Sequence, residues 1–379
     1  MIAAVGGVAC NAGNVRQNHP SQRAANTSLA SNNSPSLHGQ SRCPPHSKTP
    51  LSTLTSAMSL TQLIRTDPCV RAQLKAWIRK PPFQVKGLQV APTSTRYNVT
   101  GTAFDYLLRF TLEQRHPKQR QTRCTWVAEH AMMSLTATQR RKARTMLNTT
   151  RELTRQYCAG EDVVFELARA STILAKLDLV YRSGWEDPTL LQVDEAIALE
   201  LLDLLAVVPW EEFVCQKILL TNPHFGHASG AVGGADADLL LDTTLIDIKT
   251  TQKAEVSLDE LRQLAGYFLL GELGGIWPST TQLYDLRDDD LSPCGITHVG
   301  LYYARHGTLL TWPVAQVLTE ALPTMRKWWA DTIKLEEQWL WGSTWAHLER
   351  RSRLGMEQVL ENSLRGVGHA AQWPEHVDL

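Results

Sequence analysis

Apolar positions begin to recur at helical spacing just after Met58, in SLTQLIRTDP, and keep that period to about residue 207. The spacing predicts a helix over Val70–Ile78, opened by Pro68 and stopped by Pro81-Pro82. Phe104, Leu107, Leu108 and Leu112 share one face of a second, and further helices are expected around Trp126–Met133, Ala137–Tyr157, Glu161–Tyr181 and Asp194–Val207. Near Trp210 the character changes. Phe213–Leu220, Ala235–Leu241 and Thr244–Thr250 are apolar runs too short for helices and read as strands, the last two a hairpin turned at Asp242-Thr243. A Gly-rich loop, Phe225–Gly234, precedes the hairpin. A helix over Leu258–Leu270, a Pro/Gly/Asp-rich loop to Pro293, and strands Val299–Ala304 and Thr308–Trp312 follow. From Ala315 to Arg365 the pattern is amphipathic and helical.

Before Met58 the pattern fails. Asn11–Ser56 is rich in Ser, Asn, Pro, Gln and Thr with scarcely any large apolar residue, the composition of a disordered tail. MIAAVGGVAC has no basic residue before its apolar run and makes a poor signal peptide, and Met58 stands as an alternative start. The expected organisation is a tail over 1–57, a mainly helical region over 58–209, a mixed core over 210–314 and a helical segment over 315–379. At about 150 residues per domain, 379 residues carry two to three units.

Charge adds one feature. Lys+Arg and Asp+Glu both number 38, which excludes a uniformly basic packaging protein. Yet Thr61–Gly160 holds 18 basic against five acidic residues, a net of +13, and Glu161–Leu220 holds four against twelve, a net of -8. A polyanion facing the basic half would explain the asymmetry; two solvated helical surfaces of opposite sign would also. No 18 apolar residues run together, so no membrane partner is expected. The seven cysteines are scattered without a CxxC, which argues against a disulfide scaffold and for a reducing, cytoplasmic location.

The chemistry concentrates in Gly234–Thr251, GADADLLLDTTLIDIKTT. Alternation on a strand puts Asp247 with Lys249 on one face and Ile246 with Ile248 on the other. A two-residue turn pairs Leu241 with Thr244, Leu240 with Leu245 and Leu239 with Ile246, and so brings Asp238 opposite Asp247, with Cβ atoms about 5 Å apart. Two carboxylates and a lysine inside an apolar hairpin repel and resist burial, and a hard divalent cation such as Mg²⁺ (or Mn²⁺) resolves the conflict. The lysine can then contact a phosphate or orient the attacking water, a set suited to metal-dependent phosphodiester hydrolysis.

The same residues resemble the PD-(D/E)XK phosphodiesterase superfamily, in which an Asp on one strand precedes a (D/E)xK on the next. Gln263-Leu264-Ala265-Gly266-Tyr267 is similar to the QxxxY element of its RecB-like branch, and Gly101–Asp105 to the GTxxH that opens the first helix. Asp105 stands where the family has His, and can serve as an oxygen ligand. The resemblance implies an α/β restriction-endonuclease-like core, a mixed central sheet flanked by helices. The distance from Asp105 to Asp238 calls for a large helical insertion, and a long helical segment closes the chain. It also implies Asp105, Asp238 and Asp247 as metal ligands, Lys249 as the catalytic lysine, and Gln263 and Tyr267 lining the site. The cysteine trio of some relatives is absent, since only Cys294 lies in the final third.

Other features weigh less. Asp236 shares a strand face with Asp238 and competes for the metal; pairing favours Asp238. His224 and His227 form HxxH in a loop and read as polar loop residues. Eight of the twelve tryptophans lie from Trp277 onward, including Trp328, Trp329, Trp339, Trp341 and Trp345; helical spacing favours core packing over base stacking. Arg140, Arg141, Lys142 and Arg144 cluster on one helix, a solvated face or a phosphate-backbone contact. No GxxxxGK[ST] is present, so strand separation would need a separate helicase or other partner. The sequence reads as an exonuclease-like nuclease acting on nucleic acid, with DNA favoured over RNA. The alternatives are an inactive nucleic-acid-binding module and a scaffold subunit on the same fold.

Overall fold

The computed structural model describes residues 59–119, 126–184, 187–279 and 295–335. The expected tail, Cys294, Trp339, Trp341 and Trp345 lie outside the described residues. The first two helices, α1 (Leu60–Thr66) and α2 (Pro68–Trp77), share one hinge residue. Asp67 ends α1 and caps α2, its carboxylate accepting the Cys69 and Val70 N–H groups at 2.8 and 3.0 Å. Next come α3 (Tyr97–Arg115), α4 (Val127–His130), α5 (Ala137–Cys158), α6 (Val164–Ser183) and α7 (Glu195–Ala206). Thr136 and Gln139 form a capping box on α5, and Asp194 caps α7.

The sheet follows: β1 (Leu219–Thr221), α8 (Gly226–Ala231), β2 (Leu239–Leu241), β3 (Thr244–Lys249), α9 (Leu258–Gly274), β4 (His298–Tyr303) and β5 (Thr308–Pro313). Two helices end the described chain, α10 (Val314–Val317) and α11 (Leu322–Ile333). The five strands lie side by side in chain order, antiparallel except for β3 and β4, which α9 joins in parallel. Alternation gives the sheet two buried faces. Leu239, Leu241, Ile246 and Tyr302 pack with α3, α6 and α7; Leu240, Leu245, Leu301 and Tyr303 pack with α1, α2, α9 and α11. The helical region is therefore one wall of the same core as the sheet, built by α3, α6 and α7.

Three local expectations change. Phe213–Lys217 is not strand: the Asp242 carboxylate takes the Gln216, Lys217 and Ile218 N–H groups at 2.9, 2.8 and 3.0 Å, so those donors are satisfied without a ladder. Phe213 itself packs edge-on to Tyr302, 4.9 Å between rings. The Gly-rich loop contains α8, and glycines on both sides let it approach α9 closely: a side chain at Gly226 would collide with the Gly274 carbonyl, and one at Gly274 with the Phe225 carbonyl. The C-terminal helix is broken between Val317 and Leu322, where Ile78 bridges Leu318 and Pro323 opens α11. Trp329 is fully buried, and Trp328 meets Trp77 edge-on at 5.2 Å, the core role expected of this pair.

Candidate active site

The hairpin register is Leu241 with Thr244, Leu240 with Leu245 and Leu239 with Ile246. The ladder ends one pair short of the expected Asp238–Asp247 pair. Instead the Asp238 carbonyl accepts the Asn222 N–H at 2.9 Å, and its carboxylate accepts the Ile248 N–H at 2.6 Å. Side chain replaces backbone at the next ladder position, so Asp238 is fastened to the strand that carries Asp247 and Lys249.

Asp247 and Lys249 point to the α9 face, as alternation requires, and form an ion pair. The Lys249 Nζ also donates to Gln263 Oε1 at 2.9 Å, and Gln263 Nε2 donates to the Tyr267 hydroxyl at 2.9 Å. Gln263 and Tyr267 are four residues apart on α9 and so lie on one face. The ring of Tyr267 stacks on Phe225 at 5.6 Å. One further neighbour lies outside the motifs. Glu260, one turn before Gln263, accepts from the Tyr303 hydroxyl at 3.1 Å and adds negative charge near Asp247 and Lys249. Its only sequence signal was Ser257-x-x-Glu260, a capping box.

The carboxylates are short of compensating charge. Burial pushes the Asp247 carboxyl up to about 7; the Lys249 ammonium opposes this and Asp238 adds to it. Asp238 is likewise raised by burial, against the pull of Arg109, the Ile248 N–H and Lys249. Lys249 is raised despite burial, because Asp247 and Asp238 favour its charged form. Tyr267 is held well above its ordinary value by burial and the three acids Asp247, Asp238 and Asp236, so its hydroxyl is neutral.

Gly101 brings α3 to this end of the sheet, since its backbone lies against Thr250, next to Lys249. Asp105, one turn on, is held by Arg109, whose Nε donates to Oδ1 at 2.7 Å and which makes a second ion-pair contact to the same carboxylate. Among the described residues no group of three or more His, Cys, Asp or Glu side chains comes together as a metal site. Asp105 therefore does not complete a trio with Asp238 and Asp247. Arg109 itself was not singled out from sequence, because nothing in its local spacing shows that it faces Asp238.

Asp236 is committed elsewhere. Its carboxylate accepts from Arg182 at 2.6 Å, Arg182 also donates to Asp178 at 2.6 Å, and the Tyr106 hydroxyl donates to the same Asp178 at 3.0 Å. His224 Nδ1 accepts the Gly226 N–H at 3.1 Å within a turn, and His227 is held below its ordinary pKa by burial. Arg140 donates to the carbonyls of Met132 and Leu135 at 2.9 and 3.0 Å. Arg141, Lys142 and Arg144 are exposed on α5, and among the described residues none of the four bonds to Asp238, Asp247 or Lys249.

Compared with models of known protein families, with curated proteins and with solved structures, the chain matches none. No described helix is long and apolar enough to cross a membrane.

Proposed function

We propose that this protein is a Mg²⁺- or Mn²⁺-dependent nuclease on a restriction-endonuclease-like core, hydrolysing phosphodiester bonds of DNA from an end. The observation that carries the reading is the convergence of Asp238, Asp247 and Lys249 on one sheet face, with Lys249 held by Gln263 of α9. The donor set fits a hard cation: two carboxylates, both raised in pKa, with no thiolate or imidazole bonded to either among the described residues. Mg²⁺ commonly takes only one or two protein carboxylates and fills its remaining positions with water and substrate phosphate. Asp238 and Asp247 would hold it, and bound there it would polarise a phosphoryl oxygen.

The chain's own groups do the rest. Lys249, protonated and fixed between Asp247 and Gln263, presents an ammonium to the phosphate or to the attacking water. Tyr267 and Gln263 keep that ammonium from swinging away. The exposed arginines of α5 offer backbone phosphate contacts at a distance from the chemistry. Asp105, tied to Arg109, favours a second reading, an inactive binding module on the same fold.

One assay separates the two. End-labelled linear, circular and single-stranded DNA and RNA are incubated with the full chain, with and without Mg²⁺ or Mn²⁺. Metal-dependent loss of linear DNA, with circular DNA spared, is the expected result. No cleavage of any substrate in either metal would sink the enzymatic reading.

A further inference from the structure

A cleft of about 170 Å³ lies beside the proposed site, lined among others by His130, Tyr181, Arg182, Asn222, His224 and Asp236. It is smaller than the ~300–1,000 Å³ of drug-sized ligand pockets and has room for one planar ring system. One stretch of chain and one hydrogen bond connect it to the chemistry. Asp236 is two residues from Asp238, and the Asn222 backbone N–H is the donor to the Asp238 carbonyl.

Asn222 is the unusual residue. It sits at φ +53, in the left-handed region that Asn tolerates better than most residues, and is only 7% exposed. Among the described residues its buried Oδ1 has no hydrogen-bond partner. A strained backbone and an unsatisfied carboxamide together mark a position kept for something other than stability. A carboxamide can rotate to offer donor or acceptor to a base edge.

The arginine in the wall is already committed. Arg182 donates to Asp178 and to Asp236, so its guanidinium is paired with two carboxylates rather than presented to a phosphate. Tyr181 is an aromatic ring 54% exposed on α6, backed by His130 at 5.1 Å between rings and 35° between planes. Such a pair offers a stacking platform of the kind that unpaired bases use.

We infer that this cleft receives one unpaired nucleobase flanking the scissile phosphate, stacked on Tyr181 and contacted at its edge by Asn222. The inference rests on the nuclease reading for its substrate. It adds that the substrate is single-stranded at that position, since a stacked and paired base cannot enter, and that cleavage depends on base identity there.

The test is cleavage of a randomised single-stranded DNA pool by the full chain in Mg²⁺, with cut positions read by sequencing. Wild type should show a base preference at one fixed position from the cut. Tyr181→Ala and Asn222→Gly should flatten it; glycine is chosen because it accepts the same φ. A second arm omits metal and measures anisotropy of a labelled oligonucleotide with a normal or an abasic nucleotide at each position in turn. One abasic position should weaken wild-type binding about tenfold, the scale of one lost stack, and should have no such effect in Tyr181→Ala. Loss of cleavage with this binding signature intact would remove the hydrolytic reading and keep the base cleft. A flat preference together with no abasic effect, or a preference unchanged in both variants, would overturn the inference.

Discussion

The Lys249 ammonium donates to Gln263 Oε1 at 2.9 Å, so a residue of α9 fixes the lysine that the end of β3 presents. Gln263→Ala should therefore lower kcat by roughly 10- to 100-fold while leaving KM nearly unchanged, because it loosens a group without removing it. Lys249→Ala should stop cleavage and leave nucleic-acid binding largely intact. Steady-state kinetics beside a binding isotherm check both; a Gln263→Ala effect confined to KM would show that Gln263 binds substrate instead.

Asp238→Asn and Asp247→Asn keep shape and remove charge. Each should reduce Mg²⁺-dependent cleavage by more than about 100-fold, with circular dichroism unchanged. Wild-type rates in either variant would remove that carboxylate from the site.

Stability should respond to pH in a direction set by Asp247. Its ordinary value is 3.8 and its folded value about 7, so between these the folded chain holds a proton that the unfolded chain has released. Unfolding free energy from this group is then greatest below the lower value and falls as pH rises through about 7, with a limiting slope of about 1.4 kcal/mol per pH unit. Asp247→Asn should flatten that decline. Mg²⁺, which favours the ionised form, should stabilise wild type increasingly across the same window. Thermal melts over the window, with and without Mg²⁺, provide the measurement, and a metal-free stability that rises with pH in wild type relative to Asp247→Asn would contradict it.

Neutralising Arg140, Arg141 and Arg144 together should weaken nucleic-acid binding and flatten its salt dependence. Each lost phosphate contact lowers the log–log slope by about 0.7 to 0.9. Arg140 already bonds two carbonyls, so Arg141 and Arg144 should account for most of the change. Titrations at several salt concentrations decide it; an identical slope returns the cluster to a solvated face.

A Cβ at Gly101 would lie 2.8 Å from Thr250 Oγ1, so Gly101→Ala should push α3 away from the end of β3. The expected cost is about 1–3 kcal/mol of stability and roughly 10-fold or more in kcat. Thr250→Ala removes the colliding oxygen and leaves a Cβ 4.0 Å away, an ordinary contact, so the double variant should recover most of both losses. Melting and rate measurements on the two single variants and the double variant would show it; no recovery would place the effect elsewhere.

Elements whose cause is local are legible along the chain. Alternation put Asp247 and Lys249 on one face, the two-residue turn set Leu239 against Ile246, and the four-residue spacing put Gln263 and Tyr267 on one side of α9. Those periodicities follow from backbone geometry and need no distant partner. Tertiary structure decided what each charge would meet. Asp105 turned to Arg109, Asp236 to Arg182 across 54 residues, and Asp238 to a backbone N–H of the neighbouring strand. The Gly-rich loop holds α8 against α9, and only the nearness of α9 shows what the missing side chains of Gly226 and Gly274 admit. Charge pairing and close approach depend on distance in space, and spacing along the chain fixes that distance only within a single element or turn.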